Sequence, residues 1–231
     1  MLLRDLINGL SSLIFPPVCK SCNKRIDSNR DVICGECWNG LVRVDKEIFL
    51  QKEIPENINK VYAIFQFDDL FQKIVHALKY QGNNSIGVEL GKRMSIYVEP
   101  EMVHKEGVIF VPIPLHPIKH RERGYNQAEA IARGLSIGLD IPLNTRLIKR
   151  VKNTSTQTKL NAEERRKNME SAFVIDSNSD IVEIKQVILV DDVFTTGSTM
   201  DSAAKVLKEA GINKVVGLAA ATPAQENHKT P

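Results

Sequence analysis

The sequence predicts an α/β protein built on a parallel sheet, preceded by a small module organised by four cysteines. Three observations predict it. From residue 59 onward, short apolar runs alternate with stretches of helical spacing, the pattern of buried strands joined by crossover helices. All four cysteines fall in one window near the N-terminus, ahead of that alternation. One apolar run ends in two consecutive acids and a Thr/Gly/Ser stretch, at the carboxyl end of a strand, where sheets of this kind bind ligands.

The elements follow in order. Leu2, Leu3, Leu6, Ile7, Leu10, Leu13 and Ile14 have helical spacing, which predicts an amphipathic N-terminal helix. Asp5 and the missing small-residue cleavage site argue against a secretory signal, so a cytoplasmic location is expected. No run approaches the roughly 18 apolar residues of a membrane span. Cys19-Lys-Ser-Cys22 and Cys34-Gly-Glu-Cys37 are two C-x2-C pairs with eleven residues between them. Each pair turns two thiolates toward one point, and together they complete a tetrahedral sulfur site, which predicts structural zinc. Disulfide or redox readings are weaker in a reducing compartment. Trp38, Leu41, Val42 and Val44 are the apolar cover for a module too small to stand without a staple. Residues 46–60, with Pro55, Glu56 and Asn57, read as a linker, dividing the chain into 1–58 and 59–231.

In the second part, strands are expected at 61–67, 108–111, 186–190 and 214–221. Helices are expected at 70–80, from 85 to about 98, at 125–138 with Gly138 as the stop, and at 198–210 capped by Gly211. Asp191 and Asp192 emerge together after the apolar run Val187-Ile-Leu-Val190, where carboxylates can accept hydrogen bonds from two adjacent hydroxyls. Thr195, Thr196, Gly197, Ser198 and Thr199 follow at a helix entry, where backbone N–H groups and the helix dipole cradle a monophosphate. Gly197 allows a close backbone approach. A diol clamp beside a phosphate cradle describes ribose 5-phosphate. The chain contains neither G-x-x-x-x-G-K-[ST] nor G-x-G-x-x-G, which excludes a P-loop or dinucleotide site as the reading. Between residues 116 and 168, twelve Lys and Arg stand against five acids, an asymmetry that asks for an anionic ligand.

The segment 187–199 resembles the signature that binds phosphoribosyl pyrophosphate (PRPP) in the type I phosphoribosyltransferases. That resemblance implies their fold, with magnesium accompanying PRPP, and gives Asp191 and Asp192 a catalytic role. The likeness extends further. Val111-Pro-Ile-Pro-Leu-His116, Arg121-Glu-Arg-Gly-Tyr-Asn-Gln127, Arg150, Gln157, Leu160, Arg165-Arg-Lys-Asn168, Leu78-Lys79-Tyr80 and the four cysteines resemble the ComF family of competence-associated proteins. This implies a role in natural transformation, with single-stranded DNA and other competence proteins as partners. By the same likeness, Leu115, His116 and Pro117 form the pyrophosphate loop, and residues 149–168, with Arg150, Gln157 and Arg165, form a mobile loop that closes over the site. Arg121 and Arg123 are forked donors suited to a diphosphate.

Two readings of function stand side by side. In one, a nucleophile displaces pyrophosphate from C1 of the ribose, assisted by magnesium. Thr195 occupies the position where purine-salvage members carry an acid, pointing instead to an amine, ammonia or another acceptor. In the other, a non-catalytic DNA-handling module retains or senses PRPP, although no aromatic-interleaved basic groove is present. A PRPP-responsive regulator would need a helix-turn-helix that the sequence lacks. His76, His104, His120 and His228 carry no motif. Tyr125 either stacks on a base or packs the start of its helix. The sequence assigns neither the acceptor nor an oligomeric state.

Overall fold

The computed structural model describes residues 17–26, 32–45, 54–80, 83–103, 106–151, 172–177 and 181–224. The expected N-terminal helix, Gln157 and Arg165 lie outside the described residues. The strands are β1 (Lys60–Gln66), β2 (Val108–Pro112), β3 (Ile148–Arg150), β4 (Phe173–Ile175), β5 (Gln186–Val193) and β6 (Val215–Thr222). The helices are α1 (Gly35–Asn39), α2 (Asp69–Tyr80), α3 (Ser85–Ser95), α4 (Pro117–Arg123), α5 (Gln127–Leu139) and α6 (Ser198–Glu209).

The four expected apolar runs pair in parallel in the order β1-β6-β5-β2, with the most apolar strands in the middle. Side chains alternate across the sheet, and each set has its own cover. Ile188, Val190, Val216 and Leu218 pack with α2, α3, α5 and the cysteine module. Val187, Leu189, Val215 and Ala219 pack with α6 and with the antiparallel pair β3–β4. Both sheet edges are covered by short backbone pairings. Val44 N donates to Ile64 O (3.0 Å) and Gln66 N to Val42 O (2.8 Å), while Phe110 N donates to Pro142 O (2.8 Å) and Asn144 N to Phe110 O (2.9 Å).

Cys19, Ile33, Cys37 and Trp38 belong to the same apolar cluster as Ile64, Phe65, Phe71 and Ile74. The Arg93 guanidinium on α3 lies 5.0 Å from the centroid of the Trp38 ring. Apolar packing therefore crosses the 58/59 division of the chain.

Three expectations about elements are corrected. The helix expected to stop at Gly138 runs to Leu139 and ends at Asp140, which adopts a left-handed φ of 54°. Gly138 serves contact instead: a Cβ there would lie 2.1 Å from Ser95 Oγ. Its helix, α5, packs closely on α3. The stretch after β2, expected as a loop, forms α4, with Pro117 at its first position and His116 as its cap. The strand expected to end at Val190 continues to Val193, so Asp191 and Asp192 are still strand residues.

Candidate ligand cleft and four-cysteine centre

The sulfurs of Cys19, Cys22, Cys34 and Cys37 all lie within 4.8 Å of one another. The Cys19–Cys37 pair is separated by 3.8 Å and the Cys22–Cys34 pair by 3.7 Å. A tetrahedron with metal–sulfur bonds of about 2.3 Å has edges of about 3.8 Å, whereas a disulfide requires about 2.05 Å. The donor set and its spacing fit a structural zinc. The first knuckle is shaped by backbone bonds from Cys19 N to Lys24 O and from Asn23 N to Cys19 O, both 2.8 Å. Asn23 adopts a left-handed φ of 61° to close that turn. Burial opposes charge on Cys19, but backbone donors at Cys34, Cys22 and Ser21 outweigh it and bring the thiol down to about 6. Burial pushes Cys37 up to about 12. A bound cation removes that penalty, since coordination deprotonates a thiol outright.

At the carboxyl end of β5, residues 193–200 enclose a small polar concavity. Phe194 anchors it, buried and donating its N–H to Ala221 O (2.8 Å). Gly197 is the N-cap of α6, with a left-handed φ of 75° and no side-chain cap. Thr196 Oγ1 and Ser198 Oγ are 2.8 Å apart, on the exposed rim. A first turn that Gly197 cannot cap, with only a long bond from Ser198 N to Thr196 Oγ1 (3.5 Å), and clustered hydroxyls are groups that can receive an anion. Packing also requires Gly197 to lack a side chain. A Cβ there would come within 2.5 Å of Pro55 Cγ and 2.7 Å of the Phe194 ring. Pro55 and Phe194 fill the space that a Cβ would enter.

Alternation sends Asp191 toward the α6 face and Asp192 toward the α2 face, yet both line one cleft where the sheet ends. Lys79 Nζ at the end of α2 sits 2.5 Å from Asp192 Oδ2, with both side chains largely buried. Asp191 Oδ1 accepts from Asp192 N (2.8 Å). Burial first, and the Asp192 charge second, hold the Asp191 carboxyl well above the usual range. Lys79, Arg123 and Arg150 line the remaining wall with Leu115, Asn126 and Gln127. Burial lowers Arg150 while the Asp191 charge raises it. Lys119 is lowered by burial and then by the charges of Arg150 and Arg123. Cations crowded closely enough to disturb one another favour an anionic occupant.

Residues 121–230 match the phosphoribosyl transferase domain family. Competence protein F of Haemophilus influenzae is 31% identical over 201 residues, covering 86% of this chain and 87% of that protein. The chain belongs to the ComF family. Two further relatives are competence protein ComFC of Bacillus subtilis (25% identical, 84% of this chain, 72% of that protein) and DNA utilization protein YhgH of Escherichia coli K12 (25%, 84% and 85%). The fold is accordingly a phosphoribosyltransferase-type parallel α/β sheet with a four-cysteine cluster at its N-terminal side.

In this ComF chain, Leu115, Arg123, Arg150, Asp191, Asp192 and Thr199 are brought together around one cleft. Thr195, Thr196, Gly197 and Ser198 join Thr199 in the adjoining concavity. Arg121 and His116 are not among the residues lining either. Arg121 is exposed on α4, and His116 Nδ1 accepts from Ile118 N (3.3 Å), capping that helix. The ambiguity of Tyr125 resolves toward packing, because its hydroxyl donates to Leu78 O. Lys79 and Asn126 went unassigned from sequence, although both stand in the family motifs. Asn126 is buried, its Nδ2 donating to Ile113 O (2.9 Å) while its Oδ1 accepts from Ala128 N (3.1 Å). It thereby ties the strand end lining the cleft to the start of α5. Among the described residues, no helix is long and apolar enough to cross a membrane.

Proposed function

We propose that this chain binds PRPP through the cleft at the end of β5, transfers its phosphoribosyl group to an acceptor, and works in natural competence. The observation that carries the reading is the convergence of an uncapped helix entry, two acids and three cations on one place. The cradle of Thr195, Thr196, Gly197, Ser198 and Thr199 takes the 5′-phosphate. Asp191 and Asp192 accept from the ribose hydroxyls, and Lys79, Arg123 and Arg150 face the diphosphate. The carboxylate oxygens are also hard donors of the kind magnesium takes. Magnesium, when bound, neutralises diphosphate charge as pyrophosphate leaves. Thr195 offers no general base, which favours an acceptor that is already nucleophilic, such as an amine or ammonia. Cys19, Cys22, Cys34 and Cys37 hold a structural zinc, and a cytoplasmic setting keeps such thiols reduced. The division into 1–58 and 59–231 is proposed as one of origin and chemistry.

A second reading, a non-catalytic module handling single-stranded DNA, gains from one observation. Tyr80 is 65% exposed. The His76 ring lies 4.9 Å from it and the Arg123 guanidinium 5.9 Å from its centroid. A basic rim with an exposed ring suits base stacking. The names of the relatives, competence protein and DNA utilization protein, favour DNA and other competence proteins as partners. Purified protein given magnesium, PRPP and candidate amines should release pyrophosphate. Absence of release with every acceptor, alongside single-strand binding that falls with salt and ignores PRPP, would favour the second reading.

A further inference from the structure

The segment 54–59 leads into β1 and touches the phosphate loop from outside. Pro55 packs beneath Gly197, which is left-handed and has no room for a Cβ on that side. Asn57 donates its backbone N–H to Asp201 Oδ1 (2.8 Å) and its Nδ2 to Oδ1 (3.1 Å) and Oδ2 (3.2 Å). Asn59 holds the segment in register, its N–H donating to Val215 O and its Oδ1 accepting from Val215 N, both at 2.8 Å. Asp201 lies in the first turn of α6, and its N–H donates to Gly197 O (2.8 Å).

We propose that Asn57 and Pro55 are positioning residues of the 5′-phosphate cradle, bracing it from the side opposite the ligand. The inference rests on reading that loop as the phosphate site. Two physical effects act in the same direction. The loop has no side-chain cap at Gly197, and Pro55 and Asn57 add contacts from outside to the loop's own Thr196–Ser198 bond. The Asp201 carboxylate also stands in the same first turn as the amides that would face an anion, and Asn57 engages it through three hydrogen bonds from two nitrogens. Without Asn57, that negative charge is less compensated and opposes a phosphate.

The test compares wild type, Asn57→Ala and the exchange Asn57→Asp with Asp201→Asn, which re-forms the side-chain hydrogen bonds with donor and acceptor swapped. Calorimetry with ribose 5-phosphate and, separately, inorganic pyrophosphate is read beside amide hydrogen exchange of the free protein. Asn57→Ala should weaken ribose 5-phosphate by about tenfold, speed exchange at residues 198–201, and leave pyrophosphate affinity and zinc content unchanged. The exchanged pair should restore affinity. Unaltered exchange, unaltered ribose 5-phosphate affinity, or equal weakening of both ligands would overturn the brace. A wild type that ignores ribose 5-phosphate would instead sink the phosphate reading, and the positioning role with it.

Discussion

Asp192 already has a cationic partner in Lys79, 2.5 Å away and largely out of water, so in the proposed PRPP site the sugar hydroxyls would compete with an ion pair. Removing one member of such a pair strands the other, at a cost of up to about 3 kcal/mol for a partly exposed site. Lys79→Met should therefore lower the unfolding midpoint, and adding Asp192→Asn should recover part of the loss. Denaturant titrations in which the double variant is no better than Lys79→Met alone would contradict the pairing. Asp191 makes a second claim, with a sign. Its carboxyl is raised by burial and by Asp192, so the folded chain holds a proton that the unfolded chain releases near pH ~3.9. Stability contributed by that proton is present below the unfolded value and is lost as pH rises through the raised folded value. Asp191→Asn should thus match wild type at low pH and exceed it in thermal stability at neutral pH. Equal midpoints at pH 7 would contradict the burial.

At the scale of elements, the entry to α6 is the part least tolerant of a side chain. Gly197→Val forces a branched side chain into a left-handed φ of 75° and against Pro55 and Phe194. Strain of this kind costs about 1–3 kcal/mol before any clash is counted. Chemical unfolding should register that loss, and PRPP binding should fall with it. The four parallel strands and four longer helices were legible because each carries enough apolar residues to show a period. α4 was not. It has seven residues and none is buried, so no stripe marks it, and its basic residues read as a loop. β3 and β4 are three residues each, too short for alternation to register. The stop of α5 was misplaced because Gly138 looks like a terminator, while Asp140 takes the left-handed turn. The grouping of residues 195–199 around one concavity was legible because Gly, Thr and Ser after a buried strand mark a helix entry. Lys79 was not placed in the site because it comes from a helix more than a hundred residues earlier in the chain, and only the fold carries it to Asp192.

Across the whole molecule, the cysteine centre and the sheet share one apolar cluster. Structural zinc contributes roughly 10–16 kcal/mol to isolated fingers, and here its loss should reach further than the finger. Chelation, or Cys34→Ser, should uncover Phe65 and Phe71 and lower the unfolding midpoint of the sheet as well. A scan in which the main transition is unmoved by chelation, after elemental analysis confirms one zinc per chain beforehand, would show that the shared cluster carries little energy. Residues of α2, α4, α5, α6 and β5 line one cleft, and the most direct test of the proposed PRPP site is calorimetry with magnesium and PRPP. Wild type should bind, and Asp192→Asn should bind roughly 10- to 100-fold more weakly. Asp191→Asn combined with Asp192→Asn, folded and retaining zinc, should bind weaker still. Unchanged PRPP affinity in that folded double variant would mean that the two acids do not hold the ribose.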